Sequence, residues 1–298
     1  KINIVLAYKC RHHGCCTRYL LFKSYTMSNY NTVSVAVTRY NEKDDLVIDV
    51  LRSLSAQEGV SAEVLFFDQK RSDVIKDKIN SLKNNSIDFK YISIPAKSLS
   101  YARNLAVHQS MSDIILFIDT DAIADPRWAV ELASVFSFSK VGIVGGKILP
   151  YWHSPPLFVA KSHWVWEQYS LFDQGDSVTP INKIVGASFA IHRGRLDDEA
   201  YFDENLGRRE GSLLGGEESD LCRRSFNAGW QTYYNGHAVV KHQILPERIS
   251  YKWLLKRVYY AGYSRALLGG GGQPAHAFGV WDYVVLPFLA PIYFAGKY

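Results

Sequence analysis

The stretch Ile114-Ile115-Leu116-Phe117-Ile118-Asp119-Thr120-Asp121 joins five consecutive apolar residues to two carboxylates. An uninterrupted apolar run of this length reads as a strand buried on both faces, the habit of a parallel sheet covered by helices. Ligands of open α/β sheets gather beyond the carboxyl ends of the strands, so Asp119 and Asp121 stand where such a sheet places its chemistry. Two Asp separated by one small residue can present oxygens to a hard divalent cation and to the phosphates it carries. The same triplet can also be a solvated turn that caps the next helix. The choice rests on what else converges on this edge.

Between Thr32 and Gly146, short β-branched runs alternate with amphipathic stretches of helical length. This rhythm predicts an α/β fold with a mainly parallel, Rossmann-like central sheet flanked by helices. Strands are expected at 33–37, 63–67, 89–94, 114–118 and 141–144, and helices around 44–57, 71–83, 99–110 and 127–138. Asp125-Pro126 supplies an N-cap followed by proline at the first helical position. After Gly146 the rhythm breaks. Residues 147–183 are rich in Trp, Tyr, His and Pro and read as a substrate-shaping insertion with a helix near 160–172. A strand at 184–191, a helix at 217–228, a strand at 232–240 and a long basic-aromatic helix at 250–268 follow, the last ended by the glycines 269–272.

The apolar segment 278–295, about eighteen residues long, is borderline for spanning a bilayer. It could be an interfacial segment, the start of a transmembrane helix or a packed tail. The 250–268 helix carries Lys252, Lys256, Arg257 and Arg265 among Trp253, Tyr259, Tyr260 and Tyr263. It could lie on an anionic membrane surface, close over phosphates or pack on the sheet.

With 298 residues, 47% of them hydrophobic, the chain can bury a substantial core, and general disorder is excluded. The net charge of +5 is mild and spread along the chain, which argues against nucleic acid as a partner and for an anionic small ligand or membrane surface. Cys10, Cys15 and Cys16 lie beside His12 and His13, but their spacing matches no zinc template. Residues 1–26 precede Met27 and read as a leader ahead of the natural start. Only Cys222 remains in the body, so no disulfide framework is expected and a reducing compartment follows. The expected location is cytoplasmic, at the cytoplasmic face of a membrane if the C-terminal segment anchors there.

The first expected strand ends in Thr38-Arg39-Tyr40-Asn41-Glu42 and the second in Asp68-Gln69. Ser100-Tyr101-Ala102-Arg103-Asn104 follows the third, and Asp119-Thr120-Asp121 the fourth. Polar side chains thus close four successive strands on one side, as a nucleotide site requires.

These clusters, with Val35-Ala36-Val37 before Thr38, Gly186-Ala187-Ser188-Phe189-Ala190, and Gly216-Glu217-Glu218-Ser219-Asp220-Leu221, resemble in order and spacing the family 2 inverting glycosyltransferases of GT-A fold. The resemblance covers about residues 32 to 245. It implies metal-dependent transfer, with inversion, from a nucleoside diphosphate sugar to a glycan or lipid-linked acceptor, as in polysaccharide biosynthesis. A UDP-sugar is the favoured donor. In this family the nucleotide lies across the first strand ends, which gives Thr38, Tyr40, Asn41, Glu42 and Thr120 to its binding and Asp68 to its base. Mn²⁺ or Mg²⁺ on the donor diphosphate would be held by Asp121 directly, with Asp119 nearer the ribose or behind the ligand. Arg103 would support the diphosphate or form a structural salt bridge.

Glu218 matches the family's usual base position, where Asp is commoner, and Glu217 and Asp220 stay open as alternatives. Acids at a helix start can also simply offset its dipole. His242 resembles a further metal ligand of several GT-A enzymes, with His237 as the alternative. The first strand departs from the family in having Val37 where Pro is usual.

The implied organisation is a leader at 1–31, a nucleotide-sugar-binding half at 32–146, an acceptor and catalytic half of the same domain at 147–249, and a C-terminal lobe at 250–298. A nucleotidyltransferase is the competing enzyme reading, but residues 38–42 lack the Gly and Lys of a triphosphate loop. A sugar-binding module without catalysis is the other; loss of the acidic residues would have favoured it, and they are present.

Overall fold

A computed structural model describes residues 30–152, 162–196, 200–269 and 280–297. The Cys/His-rich leader lies outside the described residues. Four strands, β1 (Thr32–Arg39), β2 (Ser61–Asp68), β3 (Ile87–Ser93) and β4 (Ile114–Asp119), alternate with α1 (Asp44–Ser55), α2 (Asp73–Leu82) and α3 (Leu99–Gln109). In α1 the buried residues Val47, Val50, Leu51 and Leu54 form one stripe at helical spacing. The Ser72 and Ser98 hydroxyls accept from the backbone N–H of Ile75 and Tyr101, which fixes where α2 and α3 begin. β1 pairs in parallel with β2 and β4, and β2 with β3. The register sets Thr38 opposite Asp119 and Arg39 opposite Asp68, so the polar strand ends form one edge.

Past β4 come β5 (Ala122–Ala124), α4 (Trp128–Ser134), β6 (Val141–Tyr151), α5 (His163–Gln168), β7 (Val178–Ile181), β8 (Ser188–His192) and the turn α6 (Arg193–Leu196). They are followed by α7 (Glu217–Asn227), β9 (Gln231–Gln243), α8 (Tyr251–Leu267) and α9 (Val280–Lys297). One sheet runs in the order β3-β2-β1-β4-β8-β6-β9-β5, with β7 on β9. β8 is antiparallel to both β4 and β6, while β6 and β9 pair in parallel. β6 runs through the point at Gly146 where the sequence rhythm breaks, and its register against β9 shifts there. A Cβ on Gly146 would lie 2.6 Å from the Ala238 carbonyl oxygen, so the close approach of these strands needs glycine.

Alternation along the strands divides the core between the two faces of the sheet. Val33, Val35 and Val37 pack with Ile75, Leu132 and Leu254 on one face, while Ala36 packs with Phe67, Ala106, Phe117 and Leu221 on the other. Each buried aliphatic or Phe side chain contributes about 1.5–3 kcal/mol. Trp128 is fully buried and donates from Nε1 to Ser188 Oγ at 2.9 Å, tying α4 to β8.

Several boundaries differ from expectation. The strand read at 184–191 begins only at Ser188, because the preceding chain loops out and gives the Gly186 carbonyl to Arg103. α4 starts at Trp128; the Asp125 carboxylate caps a turn by accepting from Arg127 N–H rather than opening the helix. The helix near 160–172 is only His163–Gln168. From Val280 on, the apolar segment read at 278–295 is the helix α9 with Pro287 and Pro291 inside it, packed so closely on α8 that a Cβ on Gly296 would meet the Tyr259 carbonyl oxygen at 1.9 Å. Among the described residues no helix is long and apolar enough to cross a membrane.

Candidate active site

The parallel strand ends, the N-terminus of α7 and the inner side of α8 enclose a cavity of about 1130 Å³. Thr38, Tyr40, Glu42, Arg103, Asp119, Thr120, Asp121, Glu217 and Glu218 all line it. Glu42 folds back so that its Oε2 accepts from the backbone N–H of Tyr40 at 2.9 Å and of Asn41 at 3.2 Å, which shapes the loop after β1.

Two-residue spacing after β4, followed directly by β5, fixes Asp121. β5 pairs antiparallel with β9 and sets Ala122 opposite His242. The imidazole Nε2 of His242 lies 3.0 Å from Asp121 Oδ1, and Arg248 Nη1 donates to Oδ2 at 3.0 Å. Burial alone would raise the Asp121 carboxyl, but His242 and Arg248 outweigh it and hold the group well below the usual carboxylate range. Burial raises Asp119; Arg103 opposes this, Asp121 adds to it, and the net shift is upward.

One oxygen or nitrogen from each of Asp119, Asp121 and His242 falls within 4.8 Å of the others. His242 Nδ1 is buried with no hydrogen-bond partner, although a buried ring nitrogen normally has one. Two carboxylates and an imidazole form a donor set suited to a divalent ion, with the carboxylates matching the preference of Mn²⁺ and Mg²⁺. The residues therefore fit such a metal. His237 is exposed on β9 and takes no part.

Arg103, on α3, joins this end of the cavity to the acids on α7. Its Nη1 donates to Glu218 Oε1 at 2.8 Å and to Glu217 Oε1 at 3.2 Å. Its Nη2 donates to the Gly186 carbonyl at 3.2 Å and lies 3.6 Å from Asp119 Oδ1. The guanidinium is buried under the rings of Phe189 and Phe202, 5.3 and 5.5 Å from their centroids. Gly216 precedes α7 with φ +106°, a conformation that favours glycine and turns Glu217 and Glu218 inward. A Cβ on Gly186 would lie 1.9 Å from Glu218 Oε1, so that glycine makes room for the carboxylate.

The two glutamates differ. Glu217 is pushed up to about 8 by burial first and by Glu218 second, against Arg103, and its Oε2 is buried without a partner. Burial also opposes ionisation of Glu218, but Arg103 prevails and the net shift is downward. At neutral pH the arrangement holds Glu217 protonated and Glu218 as the carboxylate facing the cavity.

Three sequence candidates lie elsewhere. Asp68 is fully buried, and its oxygens accept from Lys70 N–H, Ser72 N–H and the Tyr91 hydroxyl, with Arg39 Nη1 3.6 Å away. That network organises the β2–α2 loop and leaves Gln69 as the cavity residue. Asn41 is exposed and outside the cavity lining. Asp220, one turn into α7, is engaged by Arg223 and Arg224 and faces a separate small cleft. Arg248 escaped sequence reading, since it lies in the short loop after β9 with no surrounding pattern.

The family model described as glycosyl transferase family 2 matches residues 34–199. The glucosyl-dolichyl phosphate glucuronosyltransferase of Haloferax volcanii is 22% identical over 246 residues, covering 79% of this chain and 77% of its own. The succinoglycan biosynthesis protein ExoM of Rhizobium meliloti is 22% identical over 242 residues, covering 79% and 74%. Among solved structures, the mannosyltransferase PcManGT of Pyrobaculum calidifontis, in complex with GDP-Man and Mn²⁺, superposes with a TM-score of 0.58 at 17% identity, covering 89% of this chain and 73% of that one. GalNAc-T7 with UDP, GalNAc and Mn²⁺ gives a TM-score of 0.58 at 15% identity, covering 89% and 55%. The likeness to these structures places the fold as GT-A.

Proposed function

The chain belongs to glycosyl transferase family 2, and we propose that it moves a sugar, with inversion, from a nucleoside diphosphate sugar to a glycan or lipid-linked acceptor, a UDP-sugar being the first donor to test. That it is a glycosyltransferase follows from the family; the nucleotidyltransferase reading falls with it. One observation carries the mechanism: the single guanidinium of Arg103 spans Asp119 and Glu218, so the phosphate end and the proton acceptor lie within one side chain's reach.

Inverting transfer needs a base on the face opposite the leaving group. Glu218, ionised and open to the cavity, takes the proton of the acceptor hydroxyl. The new bond from that oxygen to the sugar C1 forms as the bond from C1 to the diphosphate oxygen breaks, and the diphosphate leaves with the electron pair. Arg103 orients Glu218, and the protonated Glu217 behind it adds no second negative charge. Mn²⁺ or Mg²⁺, held by Asp119, Asp121 and His242, would supply neutralisation of the charge gathering on the diphosphate. Thr38, Tyr40, Glu42 and Thr120 bind the nucleotide. In this reading residues 32–146 form the donor half, 147–249 the acceptor half, and 250–298 a lobe that closes over both.

The decisive experiment is a screen of nucleotide sugars with Mn²⁺ or EDTA against simple acceptors, with the anomeric configuration of the product read by NMR. A product of retained configuration, or full turnover in EDTA, would overturn the mechanism.

A further inference from the structure

Gln69 follows the last residue of β2 and lines the cavity, yet its side chain is only 9% exposed. Two hydrogen bonds hold it from different sides. Its backbone N–H donates to the Arg39 carbonyl at 3.1 Å, which carries the β1–β2 ladder one residue past the strands. Its side-chain Oε1 accepts from the backbone N–H of Lys97, in the loop between β3 and α3, at 2.6 Å. Only an oxygen can accept from a backbone N–H, so this bond fixes which way round the carboxamide lies. The amide nitrogen is then the polar atom left for the cavity, and among the described residues no acceptor takes its hydrogens. A donor so nearly buried and unpaired calls for an acceptor on whatever occupies the space.

The place of Gln69 along the sheet edge says which part of a donor meets it. The sheet runs β3-β2-β1-β4, and the acids that would hold the metal and diphosphate stand at the β4 end. The end of β2 lies two strands further on, about 10 Å away, the reach of a nucleoside from its diphosphate. Asp68, given to the base by the family resemblance, has its oxygens occupied by Lys70 N–H, Ser72 N–H and the Tyr91 hydroxyl. Gln69 is its immediate neighbour, on the open side. The base therefore meets a hydrogen-bond donor here, where a carboxylate would have offered an acceptor.

We propose that Gln69, in place of Asp68, reads the base of the donor by donating its amide N–H to an exocyclic carbonyl, O4 of uracil or O6 of guanine. Cytosine and adenine carry an amino group at the same position. Set against the Gln69 amide, that group would face donor to donor and leave both unpaired out of water. Gln69 thus selects the keto bases over the amino bases. This rests on the transfer reading above and narrows its donor.

The test uses the full chain with Mn²⁺ and four probes, UDP, CDP, GDP and ADP, with binding measured by calorimetry. UDP should bind at least about tenfold more tightly than CDP, and GDP than ADP, as expected for one hydrogen bond gained against one donor left unpaired. Gln69→Met keeps length and loses the amide, and it should bring each pair to within about twofold by weakening the keto member. Gln69→Glu keeps an oxygen for Lys97 N–H and turns an acceptor toward the base, so it should reverse the order within each pair. The reversal is the readout that a merely structural role would not produce, and either variant decides the matter if the other does not fold. Tighter binding of CDP or ADP by the wild type would overturn the inference, as would an unchanged preference for UDP over CDP in Gln69→Met. Equal binding of all four defeats this inference alone, whereas no binding of any of them with Mn²⁺ strikes the transfer reading itself.

Discussion

Arg103 and Glu218, 115 positions apart in sequence, are joined by a 2.8 Å hydrogen bond inside the molecule. The same guanidinium contacts Glu217 and approaches Asp119, so one buried cation serves three acid side chains, of which Glu217 keeps its proton. Removing one partner of such a cluster leaves the others uncompensated. Arg103→Ala should lower stability by about 3–5 kcal/mol and abolish transfer, with urea unfolding and turnover as the measurements. A variant with unchanged stability would show that the acids find other partners.

Glu218→Gln keeps shape and removes the proton acceptor. Turnover should fall by about 10²–10⁴-fold, while UDP and Mn²⁺ binding stay near the wild-type level. Normal turnover would pass the role to a neighbour.

Glu217 titrates the other way. Its folded value of about 8 lies above the ordinary 4.5, so the folded state keeps the proton longer than the unfolded chain does. The stability this gives is complete below about pH 4.5 and is lost as pH rises to about 8. Glu217→Gln cannot titrate, and it should therefore gain on the wild type steadily across that window in urea denaturation at stepped pH. A flat difference would mean that Glu217 is ionised in the fold.

Gly186→Ala should misplace Glu218 without opening the core, since the added Cβ falls 1.9 Å from the carboxylate oxygen. A displacement of that kind costs about a hundredfold in rate, with a smaller loss of thermal stability than Arg103→Ala. Equal loss of both would recast Gly186 as a folding residue.

His242→Ala and Asp121→Asn each remove a proposed donor atom from the metal group. Mn²⁺ titrated with UDP should bind about tenfold more weakly or worse in both. An unaltered isotherm in His242→Ala would leave the ion to the two carboxylates.

Much of the donor edge was legible because parallel strands write themselves plainly. The run from Ile114 to Ile118 could only be buried on both faces, and the alternation around it fixed β1 to β4 to within a few residues. The polar ends then followed, since parallel neighbours in register bring Thr38 and Asp119 to the same edge. The second half was harder: β8 enters antiparallel between β4 and β6, a choice of neighbour that local patterning does not encode. Asp68 illustrates the limit at the site. Its position at the strand end suggested the nucleotide base, yet the loop turns it inward, where Tyr91 and two backbone N–H groups use its oxygens.

The residue types and their order set the fold class and the presence of a polar, acidic edge at the strand ends, because hydrophobic period and strand-end polarity are local properties of the chain. Which acid stays charged is a different matter. Glu217 and Glu218 are adjacent and chemically identical, and Asp220 shares their helix. They are told apart by the distance to Arg103, by burial and by the space Gly186 leaves. The pairing of Asp121 with His242 and Arg248 likewise arises from chain segments that meet only on folding. Electrostatic energy depends on separation in space and on exclusion of water, and neither is a property of sequence neighbours.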